Sequence, residues 1–155
     1  MNIEDKITYD PTTGLFKWLN PVYPMRSGWI AGSDQGDGYL SLKVNGSKVK
    51  AHRLAWYLMH GKWPDNIIDH IDSNKTNNKL SNLRDVSLSV NQQNRKKAQT
   101  NSLSGMLGVK KNRSRWSAAI RLNGYQTHLG TYDTPEEAHA VYLEAKRKIH
   151  EGNTL

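Results

Sequence analysis

Residues 69–94 read DHIDSNKTNNKLSNLRDVSLSVNQQN, and this stretch decides the fold. It is crowded with asparagine. A buried amide must find hydrogen-bond partners, so such density belongs in a loop-rich site rather than on an ordinary helix face. Asp69 and His70 close a short apolar strand over residues 67–71 and point to opposite sides of it. Hard cations such as Mg²⁺ take carboxylate and amide oxygens and keep several waters. Asp69, with an amide from the following helix, could hold such an ion, while His70 could take a proton from water. Residues 72–81 are too polar for a core element. Ser87 can cap a helix running to about Lys97, with Val90 on its inner side.

Upstream, residues 1–50 read as short strands and turns. A turn at residues 9–14 precedes a strand over residues 15–18. Gly36-Asp37-Gly38 is a second turn, and residues 39–44 alternate with period two. Asn45-Gly46 is the strongest hairpin signal, with the returning strand at residues 48–51. From His52 to His60 the period turns helical, with Leu54, Ala55, Leu58 and Met59 on one face. Gly61 and Pro64 stop that helix. His60 in its last turn favours the helix dipole. Trp18, Trp29, Trp56 and Trp63 read as core.

Downstream, residues 98–105 are small and polar and read as a linker. Three strand-like runs follow at residues 108–111, 116–122 and 127–132, with Asn123-Gly124 as the turn between the last two. Thr134, Pro135 and Glu137 form a capping box opening a helix. Its apolar stripe is Ala138, Val141, Tyr142, Ala145 and Ile149.

Composition narrows the function. The chain has 155 residues, formal charge +8 and no Cys. Disulfides, cysteine-ligated metal sites and thiol nucleophiles are excluded. No apolar run approaches the roughly 18 residues of a membrane span. The start, MNIEDKITYDP, has early acids and no apolar core, so a cytoplasmic protein is expected. Between Asp85 and Asp133 there is no acid, while Arg95, Lys96, Lys97, Lys110, Lys111, Arg113, Arg115 and Arg121 fall in that stretch. Such a run can be a solvated face, but it favours a phosphate-binding track.

The ordered set Asp69-His70-Ile71-Asp72, Asn77-Asn78, Asn82-Leu83-Arg84 and Asn91 resembles the HNH nucleases of phages and mobile introns. Tyr9-Asp10 with Gly14, Gly32 with Gly38-Tyr39, Ala51-His52-Arg53-Leu54-Ala55 and Gly61-Lys62-Trp63-Pro64 look like the flanks of the same family. The resemblance covers roughly residues 5–97. It implies a β-hairpin followed by a helix that grips one divalent cation. It makes His70 the general base, Asp69 and Asn91 the metal ligands, and Asn82 the residue that braces the loop and orients the base. Asn94, one turn beyond Asn91, is the alternative ligand. Arg53 could hold the scissile phosphate, and His52 could brace a helix start. The asparagine variant of the motif suits Mg²⁺ or Mn²⁺ rather than zinc.

Residues 104–111, 115–121 and 128–138 resemble the Apetala-type DNA-binding domain of plant ethylene-response factors. The resemblance implies a three-stranded antiparallel sheet backed by one helix and laid in the major groove. Val109, Ala118 and Ile120 would face the helix. Lys110 and Arg121 fall where that family contacts DNA. Lys111, Arg113 and Arg115 add phosphate charge, as do Lys96 and Lys97. His128, Gln126 and Ala119 depart from the plant pattern, so plant site preference does not carry over. Trp116 reads as core.

Together these readings predict an α+β chain. An HNH nuclease domain spans residues 1–97, a linker 98–104 and a DNA-binding domain 105–155. The expected activity is metal-dependent hydrolysis of a phosphodiester bond in double-stranded DNA, of the free-standing homing type, by a monomer that nicks. Rival readings are a DNA-binding protein that has lost its activity and, ranked below it, an RNA-directed protein.

Overall fold

The computed structural model describes residues 3–19, 30–34, 36–122 and 124–150. Trp29 and Asn123, read above as core and turn, lie outside them. Its contacts divide the chain into two compact units, residues 1–87 and 88–155.

The first unit opens with β1 (Ile7–Asp10) and β2 (Leu15–Trp18), paired antiparallel, with β3 (Ile30–Ala31) beyond β2. The turn falls at residues 11–14, narrower than the expected 9–14, because Tyr9 and Asp10 pair with Phe16 and Leu15 as the end of β1. The strand before it, β1, is an addition; its residues Ile7, Thr8, Tyr9 and Asp10 alternate apolar and polar, with Ile7 buried and Thr8 and Asp10 exposed. A second sheet joins β4 (Ser33–Asp34), β5 (Leu40–Val44) and β6 (Ser47–Lys50). Asn45 and Gly46 turn between the last two with φ of 50° and 80°, the left-handed pair that fits the strand twist.

Helix α1 (Ala51–His60) follows at once and closes with the Gly61 N–H on the Tyr57 carbonyl. Its buried residues are Ala51, His52, Leu54 and Ala55, all in the first half. Met59, expected on the apolar face, is therefore exposed. Trp63 is exposed as well, because the chain leaves the helix at Gly61 and Trp63 stacks on Tyr57 with centroids 4.7 Å apart. Trp18 and Trp56 pack against the core, whose centre is Ile7, Phe16, Leu42, Val44, Leu54 and Ile68.

Strand β7 (Ile67–His70) pairs antiparallel with β8 (Leu83–Val86), setting Asp69 opposite Arg84 and His70 opposite Leu83. The resemblance implied this hairpin; the pattern of residues 83–86 alone did not announce it.

The second unit begins with α2 (Leu88–Gln93), shorter than the helix expected to reach Lys97. The Asn94 and Arg95 N–H groups bond back three residues, to Asn91 and Gln92, and tighten the end. The Arg95 carbonyl is taken by Lys146 Nζ at 2.6 Å, so Arg95, Lys96 and Lys97 lie beyond the helix. That bond, and those of Ser104 Oγ to the carbonyls of Met106 and Val109, group residues 94–104 with the second unit.

β9 (Val109–Asn112), β10 (Arg115–Leu122) and β11 (Tyr125–Tyr132) form one antiparallel sheet in the order β11-β10-β9. α3 (Pro135–Ile149) packs on it, and both halves of the Thr134–Glu137 capping box are formed. Val109, Ala118, Ile120, Ala138 and Tyr142 are buried, as the alternation predicts. Ile149, placed on the apolar stripe, is exposed, and Lys146 is buried instead. No helix among the described residues is long and apolar enough to cross a membrane.

Candidate active site

Three elements of the first unit converge on His70. β7 delivers Asp69 and His70 at its end, the loop of residues 71–79 folds back over them, and the first turn of α1 supplies His52. Asp69, His70, Asn78 and Asn82 are all buried.

His70 Nε2 lies 3.1 Å from Asn78 Oδ1. Asn78 Nδ2 donates to the Thr76 carbonyl at 3.4 Å, which leaves Oδ1 facing the ring. An amide oxygen only accepts, so His70 donates from Nε2 and its lone pair sits on Nδ1. The His70 ring is flanked by His52, edge-on with centroids 5.1 Å apart, and by Tyr39 at 5.9 Å. Burial pushes the His70 pKa down, partly offset by the Asn78 hydrogen bond and the Asp72 and Asp69 charges. Burial also pushes His52 down, to about 4, and the neighbouring His70 and Arg53 add to the shift. Nδ1 of His52 has no hydrogen-bond partner among the described residues.

Asn78 is the residue the sequence reading missed. It was read as part of a polar loop, yet it is 1% exposed. Tyr9 Oη donates to its carbonyl at 2.7 Å, and Leu80 N donates to the Pro11 carbonyl at 3.0 Å. Gly14, at φ +74°, lies so close that a Cβ would stand 2.6 Å from the Asn78 carbonyl carbon. The β1–β2 turn is thus the buttress of the loop that carries Asn78. The only sequence signal was the Asn77-Asn78 pair within the motif.

The side chain of Asn82 bonds within the loop. Its Nδ2 donates to Asp72 Oδ1 at 2.9 Å and to the Asn77 carbonyl at 2.8 Å, and its Oδ1 accepts from Asp72 N at 3.0 Å. These bonds tie residues 72, 77 and 82 together, while Asn78 is the residue whose amide oxygen meets the His70 ring. Asp72 is the hub of that brace. Partial desolvation works to raise its pKa, and hydrogen bonds from Asn77, the Asn74 N–H and Asn82 outweigh it and hold the carboxyl below its ordinary range.

Asp69 Oδ2 accepts from Arg84 Nε at 2.9 Å and from Arg84 Nη2 at 2.7 Å. Arg84 was read only as part of a motif; opposite register on the hairpin makes it the partner of Asp69. Arg53 donates to the carbonyls of Asn66 at 3.0 Å and Pro64 at 3.3 Å, so its guanidinium closes the loop after α1. Asn91 stands on α2 and Asn94 just beyond it, both in the second unit.

A divalent cation is implied by the resemblance, and the donor chemistry decides whether one fits. Among the described residues no three His, Cys, Asp or Glu side chains form a metal-binding group. A buried carboxylate such as Asp69 is a donor that hard divalent cations accept while keeping waters. A cation held by Asp69 would share the carboxylate with the Arg84 guanidinium, which donates to Oδ2.

In the second unit, strand alternation and the register Lys110↔Ser117 and Arg121↔Gln126 put Lys110, Ser117, Ala119 and Arg121 on the sheet face away from α3. His128 lies on that face, near Ser117 Oγ at 3.2 Å. Lys110, Lys111, Arg113, Arg115, Arg121 and Lys97 are exposed and Lys96 half-buried. Arg113 turns between β9 and β10 at φ 55°. Lys111 Nζ lies 5.4 Å from the Trp116 ring centre, which is packed against the core as expected. Arg115, read as uncompensated, pairs with Asp133 at 2.8 Å, because β10 and β11 end side by side there.

The strand-end Asp-His pair, the braced asparagine loop and the β7–β8 hairpin define an HNH-type domain in the N-terminal part of the chain, and residues 49–93 match the family described as HNH endonuclease. The chain is 33% identical over 135 residues to a protein of Acanthamoeba polyphaga mimivirus named as an uncharacterized HNH endonuclease. The match covers 85% of this chain and 62% of that relative, so the chain spans less than two thirds of the relative's length. No solved structure matches.

Proposed function

We propose that the protein is a divalent-metal-dependent DNA endonuclease of the HNH homing type, with His70 as general base. The observation that carries the reading is the placement of His70: a buried imidazole at the end of β7, held by Asn78 Oδ1 3.1 Å from Nε2, with its pKa pushed down by burial. The His70 ring takes a proton from water as the water oxygen attacks phosphorus. The bond from phosphorus to the leaving 3′-oxygen breaks, and that oxygen takes up a proton from solvent. Asp69 would hold Mg²⁺ or Mn²⁺. When bound, the ion would stabilise negative charge on the phosphate and the leaving oxygen. Tyr39 and His52 wall the ring and keep it in place.

The second unit supplies affinity and register on double-stranded DNA in the manner of an Apetala-type domain, through Lys110 and Arg121, with Lys111, Arg113, Lys96 and Lys97 on phosphates. Arg115, tied to Asp133, contributes less to that field. The protein acts as a monomer and nicks.

One observation favours the rival reading of an inactive DNA-binding protein: the two hydrogen bonds from Arg84 already compensate Asp69. Incubation of supercoiled plasmid with the full chain in Mg²⁺, Mn²⁺ or EDTA separates the two. Nicked product in either metal and none in EDTA supports the nuclease. Salt-sensitive DNA binding that needs no divalent ion, with intact plasmid throughout, supports the rival.

A further inference from the structure

The chain between α2 and β9 is short, polar and without regular structure, the usual marks of a spacer. Its anchoring is not that of a spacer. At one end the Arg95 carbonyl is held by Lys146, an α3 side chain only 1% exposed. A buried ammonium is costly unless it is hydrogen-bonded, so this contact fixes the segment firmly. At the other end Ser104 Oγ donates to the Val109 carbonyl at 3.1 Å, and the Gly108 carbonyl accepts from Ala119 N at 2.9 Å. Between the anchors two backbone bonds shape the path, Ser102 N to the Gln99 carbonyl and Gly105 N to the Ser102 carbonyl.

The segment so held forms one wall of a groove of about 750 Å³. Gln99 and Asn101 line that wall, and Lys110, Ser117, Arg121 and Gln126, on the face of the sheet away from α3, line the other. Arg95 and Lys111 also border the groove, and among the described residues no carboxylate does. Four cations interspersed with amides suit a phosphodiester backbone: guanidinium and ammonium groups for phosphate charge, amide N–H groups as neutral donors.

We propose that residues 98–103 are a DNA-contacting arm, and that a strand of duplex DNA lying on the sheet runs through this groove with its phosphates between Arg95 and Arg121. The inference rests on the DNA-binding reading of the second unit and adds a contact that the sheet alone does not supply.

The chain has no Cys, so a single one can be introduced cleanly. Full-length Asn101→Cys and Glu144→Cys carry a thiol-linked photocrosslinker and are irradiated with a mixed-sequence duplex in EDTA. Glu144 lies on the exposed side of α3 and is the control. Binding of Arg95→Ala and Arg121→Ala is measured in parallel over a range of salt. The arm predicts crosslinks from position 101 and not 144. It also predicts that Arg95→Ala weakens binding several-fold and flattens the slope of log K against log salt by about 0.9. Loss of affinity in Arg121→Ala, with no crosslink from 101 and an unchanged slope in Arg95→Ala, overturns the arm and leaves the DNA-binding reading standing. No effect of Arg121→Ala either overturns both.

Discussion

His70 Nε2 and Asn78 Oδ1 stand 3.1 Å apart inside the first unit, and that contact fixes which nitrogen of the imidazole carries the lone pair. The backbone of Asn78 is held in turn by Tyr9 and by the close approach of Gly14, so the N-terminal hairpin reaches the His70 ring through one side chain. Asn78→Ala removes the acceptor and frees the ring to rotate and change tautomer. Single-turnover cleavage by this variant should be about 10- to 100-fold slower, a part of the roughly 10²–10⁴-fold that a positioned base supplies. DNA affinity should be unchanged. A loss confined to affinity would contradict the positioning role.

Asn82 is expected to act on stability through the loop. Its side chain makes three hydrogen bonds within the loop, two of them with Asp72. At about 1 kcal/mol each, Asn82→Ala should cost about 3 kcal/mol in urea unfolding. Any cleavage that survives should keep the wild-type metal requirement.

Arg84→Ala tests the cation reading through stability. The variant leaves the buried Asp69 carboxylate without two donors on Oδ2, a loss of about 3–5 kcal/mol for breaking a buried pair. If Asp69 binds a divalent ion, millimolar Mg²⁺ should restore part of that loss, because a ligand that binds only the folded state stabilises it. The rise in Tm from EDTA to Mg²⁺ should be larger in the variant than in the wild type. Equal rises would remove Asp69 from the ligand set.

His52 predicts the acid limb of the stability curve. Its folded pKa is about 4 against an ordinary 6.5, so between those values the unfolded chain binds the extra proton. The stability it contributes is complete above about pH 6.5. It is lost as pH falls toward 4, by about 3 kcal/mol in all. His52→Gln should flatten that limb when unfolding free energy is measured from pH 7 to pH 4.

The sequence carried the second unit almost whole, because each of its elements has a local signal. Period-two runs set the strands, and Thr134, Pro135 and Glu137 fix the helix start through bonds among neighbours. Lys146 escaped that logic, since only the meeting of α3 with the Arg95 carbonyl makes a buried lysine acceptable. In the first unit the Asp69-His70 dipeptide stood out, but its partners did not. Asn78 is buried by residues 9–14 at the far end of the sequence, and Arg84 reaches Asp69 only through strand register. Arg53 looked suited to phosphate, and the carbonyls of Pro64 and Asn66 that engage it are visible only once the chain has turned at Gly61.

The most direct test of His70 as the base compares wild type and His70→Ala on supercoiled plasmid in Mg²⁺, after DNA binding by the two proteins has been shown to match. The account predicts metal-dependent nicking by the wild type and a loss of about 10²-fold or more in the variant. Equal nicking by both, at equal DNA occupancy, would contradict it.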